Sequence, residues 1–287
     1  MTPITPRSEF DYTMMSSFLT CRRKYRFRHV EGLVSKYEAM APAFGSAIHK
    51  ALDTWYAGKG IDAAITVFKT EFKEDLEIDG KRTWAMGEWI LKNYEDKYQD
   101  QPFKVIRTEH EFCLELPNKN KLIGRIDKII DWEGALWVMD HKTTSQLGAS
   151  FFKKHTPNMQ FDGYIWAAKQ EGYNVQGVLV DAILVAKGLL ESSSRAKLTP
   201  LARDFATRSQ ESIDSYLDHV SKIQGDIKLC EELDDWYPNY DSCTQYGECE
   251  YRRICIESPT VWSNIKSMDY EISHWDPREL VDSNASS

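Results

Sequence analysis

The segment LIGRIDKIIDWEGALWVMDHKTT, residues 122–144, decides the fold of this chain. Two runs rich in Ile, Leu, Val and Trp flank a Glu133-Gly134 turn, the pattern of an antiparallel hairpin. Side chains two apart in a strand share a face, so Asp140 and Lys142 point one way and His141 the other. On the preceding strand Asp127 shares a face with Arg125 and Ile129, and the short turn makes the two strands neighbours. Asp127 and Asp140 can therefore converge. Two converging carboxylates repel unless a proton or a cation sits between them, and a hard divalent ion such as Mg²⁺ or Mn²⁺ prefers oxygen ligands. A lysine beside them can orient or deprotonate a water, or stabilise charge growing on a phosphate. An isolated Asp-x-Lys is more often a surface ion pair. Here it follows Gly-x-x-Asp by one hairpin, which favours a site.

Working outward, KVIRTEHEFCLEL (104–116) adds a third strand ahead of the hairpin, after Pro102. A helix, MQFDGYIWAAKQ, follows from about Asn158, and VQGVLVDAILVAK (175–187) reads as a buried fourth strand. Upstream the period is helical: Thr13 can cap a segment running to about His29, and Pro42 suits the first turn of PAFGSAIHKALDTWYAG. In that helix Phe44, Ile48, Leu52 and Trp55 make an apolar stripe. IDAAITVFKTEFKEDL and TWAMGEWILKNYEDKY continue the helical half, Ala206 to Lys228 looks helical again, and VDSNASS reads as a frayed tail. The order is helix, three strands, helix, strand, an α/β core. No repeat and no long linker divides it, so a single domain over residues 1–256 is expected, with 257–287 an extension or tail.

The composition agrees. The 287 residues carry Lys+Arg 36 against Asp+Glu 44, a net charge of −8, with 42% hydrophobic residues. Gly 15 and Pro 10 are too few for a low-complexity chain, and Trp 9 with Tyr 14 argue for packed cores rather than disorder. No apolar run approaches the roughly 18 residues a membrane span needs, and the first segment has no apolar signal region. The expected location is the cytoplasm of a bacterial or phage-infected cell, with no membrane partner. Acidic balance gives no support to bulk nucleic-acid binding, yet CRRKYRFRH, residues 21–29, holds five Lys or Arg and no acid.

GRID followed by DHK resembles the core motif of the PD-(D/E)xK nuclease superfamily, specifically its RecB-type branch, whose core also runs α-β-β-β-α-β. The resemblance implies that Asp127 and Asp140 bind a divalent metal, Mg²⁺ or Mn²⁺, with the main-chain carbonyl of His141 as a further ligand, and that Lys142 works on the attacking water. Gln160 and Tyr164, at i and i+4 on one helical face, reproduce the branch's QxxxY motif. GSAIHKAL places His49 four residues after Gly45, matching the GxxxH element that supplies a metal-binding histidine. The second acid is Asp140 where that branch commonly carries Glu.

Cysteines form the other constellation. Cys243, Cys249 and Cys255 recur with five residues between neighbours, and Cys21 lies near the other terminus. Four thiolates suit either Zn²⁺ or a [4Fe-4S] cluster, and the close CxxC knuckles of structural zinc sites are absent. The resemblance selects iron-sulfur, because cluster-bearing members of the branch, CRISPR adaptation nucleases and helicase-nuclease subunits, take one cysteine before the core and three after it. The cluster would clasp the two ends of the chain.

MSSFLTCRRKYRFRH combines hydroxyls, aromatics and cations suited to phosphate contacts and base stacking. Arg22, Arg23, Lys24 and Tyr25 are the DNA-facing candidates, against the alternative of a solvated basic face. The function implied by the resemblance is a metal-dependent deoxyribonuclease, an exonuclease on single-stranded DNA ends in recombination, repair, replication or phage genome processing. A CRISPR-type adaptation nuclease and a DNA-binding assembly subunit without useful cleavage are the alternatives. With no GxxxxGK[ST] phosphate loop, unwinding would need a helicase or another recombination or repair protein as partner.

Overall fold

Asp11 opens the first helix: its carboxylate accepts the amide of Met14 at 2.8 Å, the bond that satisfies a free N–H in a first turn. Residues 7–37, 39–75, 79–190, 200–245 and 247–280 of the computed structural model are described; the expected tail, 281–287, lies outside them. In chain order come β1 (Glu9–Phe10), α1 (Tyr12–Thr20), α2 (Arg22–Tyr25) and β2 (Leu33–Ser35). Helices α3 (Met40–Thr54), α4 (Ile61–Glu71) and α5 (Trp84–Tyr98) follow. Next are β3 (Phe103–Glu115), β4 (Lys121–Trp132), β5 (Ala135–Thr144), α6 (Ala149–Lys153), α7 (Met159–Gln170), β6 (Val175–Leu184) and β7 (Leu201–Thr207). Helices α8 (Gln210–Leu233), α9 (Arg252–Ile256) and α10 (Trp262–Asp269) precede β8 (Tyr270–Ile272). Among the described residues no helix is long and apolar enough to cross a membrane.

The α/β core and its order of elements stand as the sequence implied. Residues group into two units, one of Met1–Glu38, Glu111–Arg125 and Asp214–Ser287, the other of Ala39–His110 and Ile126–Ile213.

In the first unit, β1 runs parallel to Lys121 and Leu122, and β2 pairs antiparallel with β8. The expected helix from Thr13 to His29 is broken: Cys21 sits at φ −166, ψ 120, extended backbone that ends α1 and starts the four-residue α2. A π-helical turn, Arg26–Val30, then follows. The cap is Asp11, not Thr13, because the carboxylate reaches the amide of Met14. Phe27, Leu33, Tyr251, Ile254, Ile265 and Tyr270 form a small core here.

In the second unit the strand order is β4-β5-β6-β7. β4 and β5 are antiparallel, registered from Trp132↔Ala135 back to Lys128↔Met139. β6 returns parallel to β5 after the crossover through α7, as parallel neighbours require. Its register sets Asp140 opposite Val180, His141 opposite Asp181 and Lys142 opposite Ala182. β7 adds an antiparallel edge with Asp181↔Arg203. That strand replaces the start of the helix expected from Ala206. β6 offers a ladder edge there, and β7 pairs with it from Leu201 to Thr207 with buried Leu201 and Ala206 and exposed Asp204, Phe205 and Thr207, as suits a half-buried edge strand.

Helices α3, α4 and α5 pack as one apolar layer, with Phe44, Ile48 and Leu52 against Phe68, Ile90 and Tyr94. Gly87 permits the α4–α5 approach, since a Cβ there would stand 2.1 Å from the Phe68 ring.

Candidate active site

Strand alternation on β5 puts Asp140 and Lys142 side by side. Lys142 Nζ lies 3.1 Å from Asp140 Oδ1, and 2.9 Å from Oδ2. The Oδ2 contact is an ion pair without hydrogen-bond geometry, so this buried oxygen accepts no hydrogen bond. Helix α7 supplies the next partners. Asn158 caps it by accepting the amides of Gln160 at 2.9 Å and Phe161 at 3.2 Å. That aims Gln160, whose Oε1 accepts from Lys142 Nζ at 3.0 Å while its Nε2 donates to Tyr164 OH at 2.8 Å. Both members of the expected QxxxY pair therefore join Lys142 in one chain of hydrogen bonds.

Asp127 is held from two sides. The amide of His141 donates to its Oδ2 at 3.0 Å, and His49 Nδ1 lies 3.3 Å from the same oxygen. Gly45 brings His49 this close. A Cβ at Gly45 would stand 3.1 Å from Thr143 Oγ1, a tight contact at the point where α3 meets β5.

These placements set the charges. Burial alone would raise the Asp127 pKa, but the charge and hydrogen bond of His49, then the fields of His141 and Lys142, bring it well below the usual carboxylate range. For Asp140 burial dominates over the attraction of Lys142, and the charge of Asp127 adds to it, so its pKa is raised. One carboxylate is thus a committed anion and its neighbour is strained towards protonation. For His49 burial disfavours the cation, yet Asp127 outweighs it and the pKa is raised.

In kind, two carboxylates, an imidazole and the His141 carbonyl suit a divalent ion, and the orphaned Asp140 Oδ2 is the buried oxygen such an ion would satisfy. In placement, the carboxylates face the protein's own cations. Among the described residues no group of three or more His, Cys, Asp or Glu is gathered to hold a metal.

The imidazole of His141 was not anticipated as part of anything. Its Nε2 is 3.0 Å from Lys128 Nζ and its Nδ1 is 2.7 Å from Asp181 Oδ2, all three side chains being fully buried. Lys128 also donates to Asp53 at 2.6 Å, and Asp181 accepts from Tyr94 at 2.6 Å and Arg203 at 2.9 Å. The signal was in the sequence: Asp181 interrupts an otherwise apolar run, and a carboxylate in a buried strand needs partners.

In the first unit, none of the four expected cluster cysteines is in a disulfide. Cys21 Sγ accepts the amide of Asn239 at 3.3 Å, and the amide of Cys249 donates to the carbonyl of Cys243 at 2.9 Å. Burial raises the pKa of Cys249 and of Cys255. The three flanking cations are engaged by protein. Arg22 stacks on Tyr237 at 4.4 Å, Arg23 donates to the Trp236 carbonyl, and Lys24 pairs with Glu250 at 3.4 Å. Tyr25 is corrected as a DNA-facing residue: it is fully buried, stacked on Trp236 and edge-on to Phe18, so no base can reach its ring. The break at Cys21 turned it inward.

A family model described as the PD-(D/E)XK nuclease superfamily matches residues 10–256. A crystal structure of a presumptive exonuclease from Eubacterium rectale superposes with a TM-score of 0.50 at 13% identity, covering 86% of this chain and 88% of that one. A solved protein designated SSO0001 gives a TM-score of 0.35 at 12% identity, over 85% of this chain and 94% of that one. No curated protein matches the sequence.

Proposed function

The chain belongs to the PD-(D/E)XK nuclease superfamily, and from that premise we propose that it is a metal-dependent deoxyribonuclease of the RecB-type branch, an exonuclease acting on single-stranded DNA ends. The observation that carries this reading is Lys142, shared between Asp140 at 3.1 Å and Gln160 at 3.0 Å. A lysine bridging a carboxylate and a side-chain amide is held as a cation beside the acid pair, where it can stabilise growing negative charge. Asp127, Asp140, His49 and the His141 carbonyl would hold Mg²⁺ or Mn²⁺. When bound, the ion supplies charge neutralisation and acidifies a water. Lys142 then stabilises the charge that grows on the phosphate, and Gln160 with Tyr164 keeps the ammonium oriented.

Cys21, Cys243, Cys249 and Cys255 are proposed to carry a [4Fe-4S] cluster, Zn²⁺ being the alternative. Their number and residue type support it, because soft thiolates in a set of four are the chemistry. Arg22, Arg23 and Lys24 are proposed phosphate contacts. Recombination, repair, replication or phage genome processing is the setting this reading fits, with a helicase or repair protein as partner.

The test incubates anaerobically purified protein and Lys142→Ala with end-labelled single- and double-stranded DNA, in Mg²⁺, Mn²⁺ or chelator, alongside iron and zinc analysis. Metal-dependent loss of the end label that the variant lacks is the expected result. Equal inertness of both proteins while DNA still binds overturns the nuclease reading. A preparation without iron overturns the cluster.

A further inference from the structure

Lysine ammonium groups only donate and an ionised carboxylate only accepts. His141 stands between one of each: Lys128 Nζ at 3.0 Å from Nε2, Asp181 Oδ2 at 2.7 Å from Nδ1. Nε2 must therefore be the bare acceptor, and Nδ1 must carry the proton. Lys128 is itself tethered by Asp53 at 2.6 Å. Asp181 is fixed by Arg203 at 2.9 Å and Tyr94 at 2.6 Å, and the Arg203 guanidinium lies 3.5 Å from the centre of the Tyr98 ring. Asp53, Lys128, Asp181 and Arg203 contribute two negative and two positive charges around a neutral ring.

This network acts on the site through one peptide. The main-chain N–H of His141 donates to Asp127 Oδ2 at 3.0 Å, and its two chain neighbours are Asp140 and Lys142. Rotating or sliding the ring would tilt the amide away from Asp127 and change the separation of the acid and the lysine that flank it. Apolar packing alone cannot fix the ring's rotation; two directional bonds on opposite nitrogens can.

We propose that the His141 side chain is a positioning residue for the Asp127–Asp140–Lys142 site, locked in the Nδ1–H tautomer by Lys128 and Asp181. The inference rests on the proposed metal-dependent reading for its activity and Mn²⁺ readouts, and the tautomer readout stands apart from it. Phenylalanine at position 141 keeps the ring and loses both bonds. Glutamine keeps an amide donor for Asp181 and a carbonyl acceptor for Lys128. Supporting shells of this kind are worth about 10–100-fold in metal affinity or activity.

The experiment uses the full chain. ¹⁵N-labelled histidine NMR reads the tautomer of His141, and Mn²⁺ titration followed by electron paramagnetic resonance reads ion affinity without turnover. His141→Phe should weaken Mn²⁺ binding about 10–100-fold and lower kcat with KM for DNA unchanged, and His141→Gln should recover most of both. Should His141→Phe fail to fold, Lys128→Met, which removes the bond to Nε2 together with the pair to Asp53, takes its place. An Nε2–H tautomer, or Phe binding Mn²⁺ as tightly as wild type, overturns the proposal. Inert wild-type protein with the tautomer and the Mn²⁺ loss intact sinks the nuclease reading and leaves the positioning role standing.

Discussion

Gln160 Oε1 accepts from Lys142 Nζ at 3.0 Å, so the lysine is held from α7 as well as by the acid two residues before it. A hydrogen bond to a charged group is worth about 1.5–3 kcal/mol, and 1.4 kcal/mol is a factor of ten in rate. Gln160→Ala should therefore slow single-turnover cleavage about 10–100-fold with DNA affinity kept. Tyr164→Phe removes the acceptor of Gln160 Nε2 but leaves the Lys142–Gln160 bond, and should cost less. A Gln160→Ala variant with wild-type turnover would show that the amide is a bystander.

Much of this site was legible in the sequence, because each motif needs only local geometry. Period-two alternation set Asp140 beside Lys142, the i,i+4 rule aligned Gln160 with Tyr164, and the GxxxH resemblance pointed to His49. The partners of the His141 ring were not legible. Asp53, Lys128, Asp181 and Arg203 come from four separate elements, and only the β5–β6–β7 register, His141↔Asp181↔Arg203, brings the last two together. Tyr25 was misplaced for the opposite reason. Its neighbourhood read as one continuous helix, whereas the extended residue at Cys21 rotates everything after it.

Gly177 on β6 faces a main-chain atom that cannot move aside. A Cβ there would meet the Ala206 carbonyl oxygen at 2.3 Å and the Trp137 ring at 3.1 Å. Overpacking of this type costs about 1–3 kcal/mol, so Gly177→Ala should lower the unfolding free energy by that amount, read as a lower urea midpoint with an unchanged slope. An unchanged midpoint would mean that β7 can separate from β6 at no cost.

His29 should make the first unit acid-sensitive. It is buried against Tyr25 at 5.0 Å, neither ring nitrogen has a hydrogen-bond partner, and burial followed by the nearby Arg28 lowers its pKa to about 3. Above about pH 6.5, the ordinary histidine value, both folded and unfolded chains are neutral here and the contribution is complete. As pH falls the unfolded chain takes the proton first, so stability is lost between about 6.5 and 3, at about 1.4 kcal/mol per unit. His29→Phe removes this dependence. Relative to the variant, wild type should lose about 2 kcal/mol between pH 7 and pH 5 in urea titrations; parallel curves would contradict the neutral buried ring.

Arg203 offers the clearest test of the buried network's energetics. Burial would raise the Asp181 pKa, but the charge of Arg203, then the hydrogen bonds of His141 and Tyr94, bring it well below the usual carboxylate range. Arg203→Met keeps the stem that packs beside Tyr98 and removes the charge. The carboxylate of Asp181 then keeps only neutral donors in a site with no access to water, and breaking one side of a buried pair costs about 3–5 kcal/mol. The double variant Asp181→Asn with Arg203→Met has no unpaired charge and should regain most of that loss in a denaturation cycle, because the penalty belongs to the stranded anion. It should nonetheless fail to restore activity, since an amide at 181 can present its NH₂ to His141 Nδ1 and release the tautomer. Recovery of stability together with full activity would separate the fold's need for the network from the site's.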